Sequence, residues 1–220
     1  MSVTARYFIF FIIVGVAFIA GLFNYKKEHK KMLPVIILLG YTLFSQISSY
    51  LMAKYLRNSI PMDHVYMPAS LIFYGWFYYN CIDDTRLKKI IKWLTPSLII
   101  FSIINTLFIQ HINTPPDNIM KLSTMYNLVW GAILLIQLLD LPSAENVFIN
   151  AYFLVALAIV WFNIISSFYF FLSSFIVRHK IDPTLVYSLH YYSNYICYLI
   201  IFIAMIFLRK TISHVREVRI

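Results

Sequence analysis

The chain has 220 residues, 61% of them hydrophobic and only 12% charged. A water-soluble domain is about half apolar, and this chain lacks the polar groups to coat a globule in water, a demand that lipid removes. The net charge of +9 does not point to nucleic acid, because the basic residues stand in short runs between apolar stretches, as in Lys26-Lys27-Glu28-His29-Lys30-Lys31 and Arg86-Leu87-Lys88-Lys89. Inserted helices keep their charges there, beside anionic headgroups.

The first apolar run, 7–23, is longer than a secretory signal core and has no small-x-small cleavage site before the lysines, so it reads as a membrane helix. Six further spans follow at 33–55, 65–82, 90–112, 121–141, 148–177 and 184–208. Each is near or above the roughly 17–25 residues that cross a bilayer. Alternating short segments, which a barrel needs, are absent. The fold class is therefore all-α: a single polytopic bundle of about seven helices over residues 1–220. The sixth span is long enough to tilt or project.

Breakers mark the connectors: Pro61, Pro115-Pro116, Pro142-Ser143 and Asp182-Pro183. Pro34, Pro68 and Pro96 are placed in first turns, where a missing N–H is harmless. With five glycines, bulky aromatics rather than small-residue motifs must fill the interior. Cys81 and Cys197 form no CxxC pair and imply neither a disulfide framework nor a metal knuckle. Of the 18 Lys and Arg, twelve fall on the face with the first and third connectors and the C-terminus, and six on the other. The positive-inside rule then puts the N-terminus outside and the C-terminus in the cytoplasm.

A repeat is suggested by Phe44-Ser45-Gln46-Ile47-Ser48-Ser49-Tyr50 against Phe162-Asn163-Ile164-Ile165-Ser166-Ser167-Phe168. His64-Val65-Tyr66 matches Leu185-Val186-Tyr187 in the same sense, followed by Tyr74 and Tyr195. Helices 1–3 would recur as 5–7, a 3+1+3 parallel repeat with helix 4 as the inverting linker. Chance similarity in a Phe-, Ile-, Ser- and Tyr-rich chain is the competing reading.

No Asp or Glu lies mid-span, which argues against proton and sodium pumps. Asp83, Asp84, Asp140 and Glu145 fall at one edge, and Asp63, Asp117 and Asp182 at the other. No lysine lies in the seventh span, so a retinal Schiff base has no anchor there. The interior polar residues show helical spacing: Thr42, Gln46 and Ser49 on the second span, Asn163 and Ser167 on the sixth, His190 and Asn194 on the seventh. These form the candidate binding set, a polar cluster between helices 2, 6 and 7. It serves either as interhelical glue or as a small-molecule site. His64, His111, His179 and His190 map to the outer half and suit an interfacial belt better than a metal site, since no HxxxH spacing occurs. The doublet Asp83-Asp84 has no second acidic motif with which to hold magnesium. No HExxH, GxSxG or P-loop is present, so no catalysis and no cofactor is implied.

His64-Val65-Tyr66 and the stretch Ser188-Leu189-His190 to Asn194 resemble a family of small seven-helix bacterial membrane proteins of unassigned function. Its members often carry a glutamate shortly after the helix-3 tyrosine, where this chain has Met67-Pro68-Ala69-Ser70. The layout is also similar to seven-helix sensor modules of bacterial signalling proteins. A 3+1+3 order would resemble the SWEET sugar and PnuC vitamin transporters. The resulting expectation is an inner-membrane sensor or binding module. It would have the bilayer, a small ligand and a second copy or cytoplasmic signalling protein as partners. A carrier or an oligomeric pore are the alternatives.

Overall fold

Most of the helices begin where a proline or a short polar side chain disposes of the free N–H groups of a first turn. The computed structural model describes residues 3–140, 147–180, 182 and 184–215, and these hold seven α-helices and no strand. They are α1 Val3–Asn24, α2 Leu33–Leu56, α3 Ile60–Cys81, α4 Thr85–Ile104, α5 Asp117–Leu139, α6 Ala151–Arg178 and α7 Thr184–Val215. Pro34 and Pro61 occupy the first turns of α2 and α3. The Asp84 carboxylate caps α4, accepting from the Arg86 and Leu87 amides at 2.7 and 3.0 Å, and these bonds hold its pKa below the usual carboxylate range. Asn150 caps α6 through the Tyr152 amide (2.9 Å) and Asp182 caps α7 through Thr184 (2.9 Å). Pro142, Ser143, Glu145, Pro183, Arg216 and Arg219 lie outside the described residues.

Four helices start earlier than their apolar runs, α1 and α5 by four residues and α3 and α4 by five. α3 begins at Ile60 rather than 65 and α4 at Thr85 rather than 90. Pro68 and Pro96, expected in first turns, therefore stand inside their helices. Each leaves the carbonyl four residues earlier, on His64 and Lys92, without its helical donor. Capping chemistry decides the α3 and α4 starts, and hydropathy does not.

Six of the helices are long and apolar enough to cross a membrane; α3 falls short because of Asp63, His64, Asn80 and its two prolines. Its neighbours show that it crosses all the same. α1 and α7 run parallel: Phe10 meets Tyr198 toward one end. Toward the other, the Asn24 amide donates to the Met205 carbonyl (2.9 Å) and the Arg209 guanidinium to the Phe23 carbonyl (2.8 Å). α3 and α5 are parallel too, bridged by His64–Thr114 at one end and Gln137–Cys81 at the other. Successive helices reverse direction, so with the other six helices crossing, a parallel α1 and α7 require α3 to cross as well. The chain is a multi-pass membrane protein.

The helices α1, α2, α3, α5, α6 and α7 form a closed circuit in that order, and α4 stands outside it against α3 and α5. This is the neighbour order of a 3+1+3 arrangement. The matched register is kept only in part. Ser45 and its counterpart Asn163 are both buried. Between α3 and α7 the faces are reversed: Leu71 is fully buried where Tyr192 is 56% exposed, and Ile72 is 48% exposed where Ser193 is buried. α3 has neighbours on three sides and α7 chiefly on two, so their inward faces differ.

Aromatics fill the core as expected, with Phe77 and Tyr78 fully buried among Leu39, Ile82 and Leu134. Two glycines nevertheless set the tightest crossings. A Cβ on Gly75 would lie 2.5 Å from the Thr95 side chain, and one on Gly131 2.8 Å from Val160.

Candidate functional site

α6 and α7 are the longest helices, at 28 and 32 residues, about 42 and 48 Å of rise. Toward the end of α6 and the start of α7, aromatic side chains occupy the seam between them. Phe162, Ser166 and Tyr169 recur at helical spacing on α6, and Tyr187, His190 and Asn194 on α7. The His190 ring is stacked on Tyr169 (centroids 4.5 Å apart, planes 16°) and flanked by Phe162 at 5.4 Å and Phe170 at 5.7 Å. Tyr187 covers Tyr169 from the entrance at 5.5 Å. His190 Nδ1 is hydrogen-bonded to the Ser166 hydroxyl at 3.3 Å. Nε2 has no hydrogen bond to any described residue. The hydroxyl rotates, so Nε2 can present either a donor or an acceptor, according to which partner supplies the Ser166–Nδ1 proton.

The six residues drawn from the sequence do not assemble into one cluster. His190 is engaged, but with Ser166 instead of Asn163 or Ser167. Asn163 is buried and its amide donates to the Ile159 carbonyl (2.7 Å), while the Ser167 hydroxyl donates to the Asn163 carbonyl (2.7 Å). Both polar groups are thus absorbed by their own helix. Asn194 is half-buried one turn below His190, with no hydrogen bond to a described residue. Gln46 and Ser49 are half-buried on α2, which packs on α1 and α3 across the circuit from α6. Thr42, one turn from Gln46, does bridge helices. Its hydroxyl is 3.1 Å from that of Tyr66 on α3, and the Tyr198 hydroxyl of α7 lies nearby.

The Tyr66 bridge and Ser166 are the partners that sequence spacing did not reveal. Ser166 was visible as a member of the Ser166-Ser167 doublet, but the i, i+4 match between Asn163 and Ser167 selects the wrong hydroxyl.

Of the four histidines expected in the outer half, His111 and His179 are exposed while His64 and His190 are drawn into the protein. His64 is buried at the start of α3, its Nδ1 2.8 Å from the Thr106 hydroxyl and its Nε2 2.8 Å from the Thr114 carbonyl. It thereby ties α3 to the segment leading into α5. The end of α4 widens there into a π turn over Asn105–Ile109. Asn105, fully buried, donates to Gln110 (2.8 Å) and accepts from Asn118 (3.1 Å). His111 accepts from the Asn113 amide (3.2 Å), and His179 rests on Phe175 (4.3 Å). Among the described residues no three His, Cys, Asp or Glu come together as a metal cluster. Cys81 and Cys197 are both buried and free.

Comparison with protein-family profiles, with curated proteins and with solved structures returns no match.

Proposed function

We propose that the protein is a multi-pass sensor or binding module that takes a small amphipathic molecule at the α6–α7 seam and acts by binding instead of by chemistry. The observation that carries this reading is His190. It is enclosed by Tyr169, Phe162 and Phe170, held at Nδ1 by Ser166, and open at Nε2. Flat aromatic walls with one oriented polar group are the usual make-up of a small-molecule site. A Ser–His pair can also serve nucleophilic catalysis, but that needs a third group orienting the base, and no described carboxylate bonds to His190. The preferred ligand has a planar or apolar body and one hydrogen-bonding group.

The twelve-to-six distribution of Lys and Arg supports an inner-membrane protein with its N-terminus outside and its C-terminus cytoplasmic. The His190 site then faces the outer half of the bilayer, and a signalling partner or second copy docks on the cytoplasmic face. Impermeant thiol labelling of intact cells is expected to modify Ser2→Cys and spare Ser213→Cys; the reverse pattern refutes the orientation.

A solute carrier is the second reading, favoured by α4 standing outside a circuit of two helix triplets. Native mass spectrometry of the purified protein should find a retained small molecule that His190→Ala and Ser166→Ala both release. Flux of that molecule into proteoliposomes identifies a carrier; retention without flux identifies a sensor. No molecule bound by wild type, with the variants equally folded, refutes the seam as a site.

A further inference from the structure

The helix outside the circuit has a lipid-facing stripe of its own. Ile91, Thr95 and Ser102 turn α4 toward the bundle, and the opposite face carries Lys89, Trp93 and Ser97 at four-residue steps. With Ile90 and Leu94 these line a shallow open depression of about 440 Å³. Trp93 is 74% exposed at its centre. Its two ends differ chemically. Lys89 stands in its wall, and Arg86 and Lys92 stand exposed one turn to either side of Lys89; Arg86 also lies near the Asp84 carboxylate, and among the described residues neither lysine bonds to a carboxylate. The nearby acids are engaged elsewhere: Asp84 caps the helix and Asp83 accepts from Gln137 at 3.3 Å. Lys88 is turned away toward the Tyr79 ring, 6.0 Å off. Above the lysines the stripe is apolar. The Ser97 hydroxyl bends back to the Trp93 carbonyl at 2.8 Å, and of the lining side chains Lys89 alone offers a charged donor to an occupant.

We infer that this face of α4 is a binding site for one anionic glycerophospholipid. Its phosphate sits among Arg86, Lys89 and Lys92, and an acyl chain lies along Ile90, Trp93 and Leu94. Charge complementarity selects the occupant: exposed cations toward one end and hydrocarbon toward the other match an anionic headgroup above its chain. A second copy of this chain would bring the same cations into mutual repulsion.

The test uses the full-length protein in detergent, titrated with phosphatidylglycerol or phosphatidylcholine and read by native mass spectrometry. Wild type should retain phosphatidylglycerol in preference to phosphatidylcholine. The exposed pair Lys89→Gln/Lys92→Gln should lower that preference about 30-fold, at roughly fivefold per surface charge. Lys30→Gln/Lys31→Gln, equally exposed on the same side, should leave it unchanged. Trp93→Ala should weaken retention of both lipids without altering the preference. Equal retention of the two lipids by wild type overturns the inference. So does an equal loss in the Lys30/Lys31 control, which would show diffuse charge rather than a site. A lipid-resistant dimer that Trp93→Ala dissociates would overturn it in favour of a second copy.

Discussion

Gly75→Ala tests the packing that holds α4 to the bundle. The added methyl would sit 2.5 Å from Thr95 Cγ2 and 2.6 Å from its Oγ1, against an optimum of about 3.5–4.0 Å, so α4 must retreat by about 1 Å. Overpacking of this kind costs about 1–3 kcal/mol. The retreat also pulls Thr95 from the Tyr126 hydroxyl, now 2.7 Å away, a loss of about 1 kcal/mol. Replacing glycine in a helix interior returns about 1 kcal/mol. The net expectation is destabilisation by about 2 kcal/mol, about 30-fold in the folded ratio. Reversible unfolding in mixed micelles, followed by tryptophan fluorescence, measures it. Thr95→Ala removes both clashing atoms, so the double variant should be more stable than the sum of the singles by about 1–2 kcal/mol. If Gly75→Ala stabilises the protein, or the two changes simply add, the close α3–α4 crossing is not what the glycine serves.

Tyr126→Phe should cost about 1 kcal/mol through the Thr95 bond alone, in the same unfolding assay. His64→Ala breaks two bonds, to Thr106 and Thr114, worth about 1 kcal/mol each; hydrogen exchange should quicken at 111–114 before it does in α5. Asp84 has a lowered folded pKa, so its contribution is complete above the unfolded carboxylate value and is lost as pH falls through the folded one. Asp84→Asn retains a capping oxygen and should therefore flatten the acid limb of stability while leaving neutral-pH stability nearly unchanged. Persistence of that limb in the variant would exclude Asp84 as its source.

Helix number and class were legible because hydrocarbon permits few backbone solutions. Helix ends were less so: hydropathy overlooks the capping of Asp84 and the first-turn role of Pro61, and this misplaced Pro68 and Pro96. The candidate site was half legible. Helical spacing finds polar residues that share a face, but not whether a hydroxyl turns to a neighbour or back to its own helix. Ser167 and Asn163 did the latter, and Ser166 reached His190. The tie of His64 to Thr114 spans 50 residues, a separation that no local pattern encodes.

The closure of α1 on α7 also sets an order of biosynthesis. Of these two helices α1 is made well before α7. Until α7 is inserted, Phe10, Val14 and Ala17 can seal only against α2 and lipid, and the Asn24 amide lacks the Met205 carbonyl. A nascent chain stalled before 184 therefore keeps a side of α1 open. The α1 side of the circuit is closed in a single late event, and that unsealed side is what a membrane quality-control protease would meet in a product truncated before α7.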